Sequence, residues 1–369
     1  MTRTMETVVK SWVSAASIML MPAAVGAQAD TTTTWSWGGF VDAYYAYHFN
    51  LRRPGDAPVL TQPVRHNEFN INLAFVEARL SGDRVRGRLA LQVGTSVQAN
   101  YAGEPTHGAH SGPVLARQIQ EAVAGYRLGQ GLWLDGGIFL SHIGAESWIS
   151  RDNWNYSRSL IADYSPYYET GLRATWSPSS KFAGTFALLN GWQNISETNA
   201  NKAAGIRLDY TASTKLTLSY SNFLGSESPE GDPSRFRFLH DFIVKLIASD
   251  RIGFLASFDI GSQGNTVGDE AGNWYGFTAI TRVQATARVA LAGRFERYAD
   301  PDGVFLATTL GPGLELNGIS VNLDVAPTSH FLWRTEFRSL IAEDEAFVKH
   351  DGSLTRSSPF VVSSFAVSF

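Results

Sequence analysis

Arg84, Arg86 and Arg88 stand two residues apart, and Arg235 and Arg237 repeat the spacing. Side chains two apart share one face of an extended chain, so these guanidiniums would form rows of fixed positive charge. Such a row attracts and concentrates anions; it does not make or break bonds. Residue types that could do covalent chemistry are present but do not converge. The histidines (His48, His66, His107, His110, His142, His240, His330 and His350) are scattered without metal-ligand spacing, and His107 and His110 sit in a Gly-Ala loop that reads as solvent-exposed. The chain has no cysteine, which removes disulfides, thiolate nucleophiles and thiolate zinc sites. No Ser/His or Asp/His constellation can be assembled from spacing. Asp300-Pro301-Asp302-Gly303 reads as a turn before it reads as a calcium loop. No catalytic, cofactor or metal site is expected.

The elements that would carry the arginine rows follow from the same period. Across 84–98 the odd positions include Leu89, Leu91, Val93 and Val97, while Arg86, Arg88, Ala90, Gln92 and Ser96 hold the even ones. That is a strand with one apolar and one polar face. Its fourteen residues from Arg84 to Val97 rise about 45 Å, enough when tilted to cross an apolar slab of about 25 Å. Phe236, Phe238, Phe242, Val244 and Leu246 likewise oppose Arg235, Arg237, Asp241 and Lys245. Strands are predicted near 35–48, 66–80, 84–98, 117–128, 131–143, 166–177, 181–193, 202–211, 215–225, 235–248, 252–263, 272–284, 287–298, 313–325, 330–340 and 357–369. Links from even to odd strands are short and turn-like; links from odd to even strands are long. The reading is all-β: an antiparallel up-and-down transmembrane barrel with short periplasmic turns and long extracellular loops.

The composition agrees. The 369 residues are 44% hydrophobic, 17% charged and 12% aromatic, with a formal charge of −4, so nothing points to a nucleic-acid partner. Residues 1–29 read as a secretory signal peptide: Arg3 and Lys10, an apolar stretch, then Ala27-Gln28-Ala29. Residues 30–369 are then the outer-membrane β-barrel. Phe365, Val367 and Phe369 on the last strand resemble the signal that such barrels present to the outer-membrane insertion machinery. Trp35, Trp37, Tyr45, Tyr47, Tyr168, Trp176, Trp192 and Trp274 fall near strand ends and fit interfacial girdles or ordinary packing.

In a barrel of this size the polar face lines a wet lumen. The residues assigned to it are Arg84, Arg86, Arg88, Arg127, Glu169, Arg173, Arg207, Asp209, Arg237, Asp241, Lys245 and Arg294, with bases outnumbering acids on the inward faces. The longest connection, 144–165, carries Trp148, Arg151, Asp152, Trp154, Tyr156 and Arg158. Two readings suit it: a segment folded into the lumen as a constriction, or a surface loop packed on its neighbours.

The run from Glu146 through Arg158 to Leu160, the segment Ser165-Pro166-Tyr167-Tyr168-Glu169-Thr170-Gly171 and the later Leu189-Asn190-Gly191-Trp192-Gln193-Asn194 together resemble the OmpL-like β-barrel porin family. The resemblance implies an outer-membrane porin, surrounded by lipid and passing small hydrophilic solutes or ions by diffusion, with a mild anion preference where the arginines prevail. The rival readings are an outer-membrane barrel hydrolase and a closed structural or adhesive barrel.

Overall fold

A strand whose apolar face meets lipid has no water to satisfy its backbone, so the sheet carrying it must close. The computed structural model describes residues 33–104, 117–228, 235–264, 271–308 and 311–369, and in it the sheet closes. The barrel strands are β1 Thr34–His48, β2 Phe69–Ser81, β3 Val85–Val93, β4 Ile119–Gly129, β5 Leu132–Leu140, β6 Tyr168–Trp176, β7 Phe182–Leu189 and β8 Ala203–Thr211. They continue as β9 Leu216–Ser226, β10 Phe236–Ile247, β11 Ile252–Gln263, β12 Gly272–Gln284, β13 Val289–Asp300, β14 Leu314–Val325, β15 Phe331–Ala342 and β16 Ser357–Ser368. Each pairs antiparallel with its sequence neighbours, and β16 returns to β1 in register from Phe40↔Ser368 to His48↔Phe360. The links from even to odd strands form the tight periplasmic rim. The signal peptide expected at 1–29 lies outside the described residues.

Inward and outward faces alternate as lipid and water require. On β15, Arg334, Glu336, Arg338 and Leu340 are buried inside, while Trp333, Phe337 and Ile341 point out. The lumen is not an open tube. One apolar cluster inside it joins Tyr156, Leu160, Trp192, Trp274, Tyr298 and Phe360; a second joins Phe40, Tyr101, Trp148, Tyr167 and Tyr168.

The structure bears on two expectations and corrects the first. The strand expected over 84–98 stops at Val93, and the chain turns into a short helix, α1 (Thr95–Asn100), packed on β2. Gly94 makes the turn with φ 144°, and a Cβ there would stand 2.2 Å from the Asn72 carbonyl oxygen. Alternation in 95–98 is therefore not strand alternation. Gly94→Ala combines this clash with a backbone conformation that suits only glycine, and is expected to destabilise the barrel by about 1–3 kcal/mol. Urea unfolding in lipid vesicles, followed by tryptophan fluorescence, reads the loss; an unchanged midpoint would show that this turn is not strained.

The second point concerns the aromatics, for which girdle and packing both stood open. Trp35, Trp37, Tyr47 and Trp176 do face outward at the rims, but Tyr168, Trp192 and Trp274 are buried inside the barrel. Tyr168 finds its partners there: its ring stacks on Tyr101 at 4.1 Å and its hydroxyl donates to Glu104 at 2.6 Å. Trp192 lies beyond the end of β7 and packs edge-on against Phe223 and Trp274.

Candidate pore constriction

The connection between β5 and β6 runs down the lumen, and its backbone hydrogen-bonding groups find partners on the barrel wall. Its two limbs are first tied to each other. Glu146 accepts from Ser159 N at 2.9 Å, and Ser147 and Asn153 exchange hydrogen bonds of 2.7 and 2.8 Å across the turn Ser150–Asp152. A one-turn helix, α2 (Leu160–Asp163), then leads back toward β6. Irregular backbone so deep in a barrel must be satisfied by side chains.

The wall of β13–β15 supplies them. Ser157 N donates to Glu336 at 2.6 Å and Leu160 N to Glu296 at 2.7 Å. Arg294 donates to the Ser157 carbonyl at 2.6 Å, Arg338 to the Arg158 carbonyl at 2.9 Å, and Arg334 to the carbonyls of Asn153, at 2.7 Å, and Ser150. These arginines are themselves paired: Arg338 with Glu296 at 2.7 Å, Arg334 with Asp324 at 2.8 Å and Arg294 with Glu336 at 3.2 Å. All six are buried. On the opposite side Ser150 donates to Asp42 at 2.7 Å. The segment thus lies against a lattice of paired charge on the inner wall.

The loop residues picked out from sequence occupy defined places. Trp148 packs tilted against Tyr101 and meets Tyr167 edge-on, and its indole N–H donates to Ser96 on α1 at 3.3 Å. Arg151 reaches the periplasmic rim, where it contacts Ser368 and the Ser329 carbonyl. Burial raises the Asp152 carboxyl above its ordinary range, against the hydrogen bond from Ser147. Trp154 lies beneath Lys245, with the ammonium 5.8 Å from its ring centre. Tyr156 is fully buried, and the Arg158 guanidinium sits 3.6 Å over the Tyr167 ring. Burial also raises the Asp163 carboxyl, with Arg158 opposing.

The wall residues picked out from sequence fall into three groups. Arg84 and Arg127 are exposed at the periplasmic rim, where Arg127 donates to the Asp83 carbonyl at 2.9 Å. Arg86 and Arg173 converge on Asp135 at 2.6 and 3.2 Å, and Arg88 pairs with Glu77 at 2.6 Å and with Glu121. Higher up, Arg207 pairs with Asp209 at 3.1 Å and holds the carbonyls of His142 and Gly144. Glu169 takes His142 Nδ1 at 2.8 Å. Asp241 accepts from Gly144 N at 2.9 Å. Arg237 lies over Trp192 and Phe305 and donates to Gln263 at 2.8 Å.

Several partners escaped the sequence reading. Glu77, Asp135 and Asp324 sit on inward faces at the same alternation that marked the arginines, so the period of two could have found them. Glu146, Glu104 and α1 could not be found so, because they belong to connections. Asp300 accepts from the backbone N–H of Val304, Phe305 and Leu306, each at 2.8 Å, which makes its loop a turn. Among the described residues no group of three or more His, Asp or Glu is placed to hold a metal.

With this geometry in view, comparison with known proteins is informative. A family model described as "Putative beta-barrel porin-2, OmpL-like" matches residues 34–369. No curated protein matches the chain significantly. Solved structures with the same fold include an anion-selective porin from Comamonas acidovorans, at 9% identity and TM-score 0.62, covering 92% of this chain and 100% of that one. The outer-membrane channel DcaP of Acinetobacter baumannii is similar at 12% identity and TM-score 0.61, covering 93% and 99%. Salmonella typhi OmpF, solved with daunomycin, is similar at 9% identity and TM-score 0.59, covering 91% and 97%. At these identities the likeness concerns the fold.

Proposed function

The chain belongs to the OmpL-like β-barrel porin-2 family and is an outer-membrane porin; from that premise we propose that it passes small hydrophilic solutes with a mild preference for anions, through a lumen narrowed by residues 144–165. The observation that carries this reading is the charge of two cavities along the inner wall. A cavity of about 280 Å³ is lined by Arg79, Arg86, Arg88 and Arg173 against Glu121. A second, also about 280 Å³, is lined by Lys245, Arg251 and Arg282 against Asp250, with Trp154 as its inner wall. Fixed positive charge in a low-dielectric channel raises the local anion concentration. The arginines of β13–β15 add little to this field, because carboxylates and loop carbonyls already take their charge. Glu77 and Asp135 offset part of the rest, which keeps the preference mild.

In a KCl gradient across a planar bilayer the reversal potential should therefore have the sign of chloride selectivity. The effect should grow at low salt, since screening acts over about 8 Å at physiological ionic strength. A clear cation preference would refute the proposed dominance of the two basic vestibules. The Comamonas acidovorans porin, which shares the fold, is itself anion-selective, in line with this reading.

Family and neighbours point to a channel rather than an enzyme, and the wall histidine supports a non-enzymatic reading. His142 is bound at both nitrogens, to Glu169 and to the Asn222 carbonyl, each at 2.8 Å, so it braces the wall. Two further assignments accompany the proposal. Residues 1–29 export the chain. The outward-facing Phe365, Val367 and Phe369 address the insertion machinery.

A further inference from the structure

Asp241 on β10 and Asp259 on β11 are direct cross-strand partners, both buried and pointing inward. Among the described residues neither is ion-paired to a base; Asp241 is bound only by Gly144 N, Ser221 and Ser257. Like charges facing each other on a strand pair repel, and two carboxylates in one dry site cannot both ionise unless something positive joins them.

What joins them is indicated by the atoms around a small adjacent cavity of about 10 Å³, the space of one water or one ion. Asp259 Oδ1, Thr278 Oγ1 and Glu146 Oε1 all belong to residues lining this space. All three atoms are buried without a hydrogen-bond partner; Glu146 Oε1 faces the Arg294 guanidinium at 3.7 Å, beyond hydrogen-bond distance, and the other two face no base among the described residues. Thr278 is 1% exposed and Asp259 4%. Buried oxygens are ordinarily bonded, so the unpartnered Asp259 and Thr278 oxygens, with Glu146 Oε1 beside them, mark a missing partner at this cavity. All the candidate donors are hard oxygens, with no imidazole or thiolate, which is the ligand set of calcium-class cations and not of zinc or copper.

We propose that this cavity binds one divalent hard cation of the calcium class, with Asp259, Thr278 and Glu146 as ligands. Binding supplies the positive charge that two facing buried carboxyls call for. Because Glu146 belongs to the constricting loop and Asp259 and Thr278 to the wall, the ion clamps the loop in its docked position. Ion binding at this cavity does not depend on the conductance of the barrel.

The test is calcium binding by the whole chain, refolded free of lipopolysaccharide in detergent and measured by equilibrium dialysis with radioactive calcium. One ion per chain should bind, with a dissociation constant on the order of 10⁻⁴–10⁻³ M, the range of extracellular sites. Asp259→Asn and Thr278→Val keep shape and remove ligands; each should weaken binding, the first by about ten-fold or more. Calcium should also slow proteolysis within 144–165 in the wild type but not in Asp259→Asn. Binding equal in wild type and Asp259→Asn, or none up to about 10 mM calcium, overturns the proposal. Conductance can fail or succeed independently of these results.

Discussion

Deleting residues 149–160 should raise single-channel conductance several-fold. These residues are bonded to the inner wall: Ser150 to β1, Asn155 to Ser320 of β14, Ser157 to Glu336 of β15 and Leu160 to Glu296 of β13. Their removal takes Tyr156 and Leu160 out of the interior cluster. The deletion should therefore also cost stability, at about 1.5–3 kcal/mol for each large side chain whose burial is lost. The barrel itself should persist, because its closure rests on the strand ladder. Planar-bilayer recording of the deletion beside the wild type decides the matter, and unchanged conductance in a heat-modifiable, folded barrel would mean the loop does not restrict the path.

The second large effect should come from one arginine. Arg338 pairs with Glu296 at 2.7 Å and holds the Arg158 carbonyl at 2.9 Å, so it serves wall and loop together. Arg338→Ala leaves Glu296 facing only Arg294, at 3.3 Å, and strands a loop carbonyl. Breaking one side of a buried ion pair costs about 3–5 kcal/mol. The expected result is a lowered unfolding midpoint together with noisy, enlarged conductance as the loop undocks. Combining Arg338→Met with Glu296→Gln removes both charges and should recover much of the stability while leaving the loop loose. If Arg338→Ala changes neither quantity, the charge lattice does not anchor the loop.

The strands were legible because each carries the same demand residue after residue: one face for lipid and one for water. That demand reads directly as a period of two, and it sets Arg86, Arg88, Arg237 and Lys245 on the polar faces of their strands even where a strand boundary slips. It fails at 95–98, where Ser96 and Val97 still alternate but Gly94 has already turned the chain inward. It also fails for Trp192 and Tyr168, since a ring near a strand end suits either lipid or a returning loop, and only the path of the other loops decides which. The arginines were visible but their neutralisation was not: Arg294 meets Glu336 from 42 residues away, and Ser157 from 137. The excess of inward bases over acids shrank once Glu77, Asp135, Asp324 and Glu146 took their places, leaving the net positive charge beside the loop near the periplasmic mouth. The connection expected at 99–116 lies outside the described residues from 105 onward.

The most direct measurement is single-channel recording of the refolded full-length protein in a planar bilayer. A diffusion pore narrowed by a docked loop should give discrete, roughly ohmic steps that are small for a barrel of sixteen strands. A correctly folded, inserted barrel that gives no steps at any salt concentration would contradict the reading of this chain as an open porin.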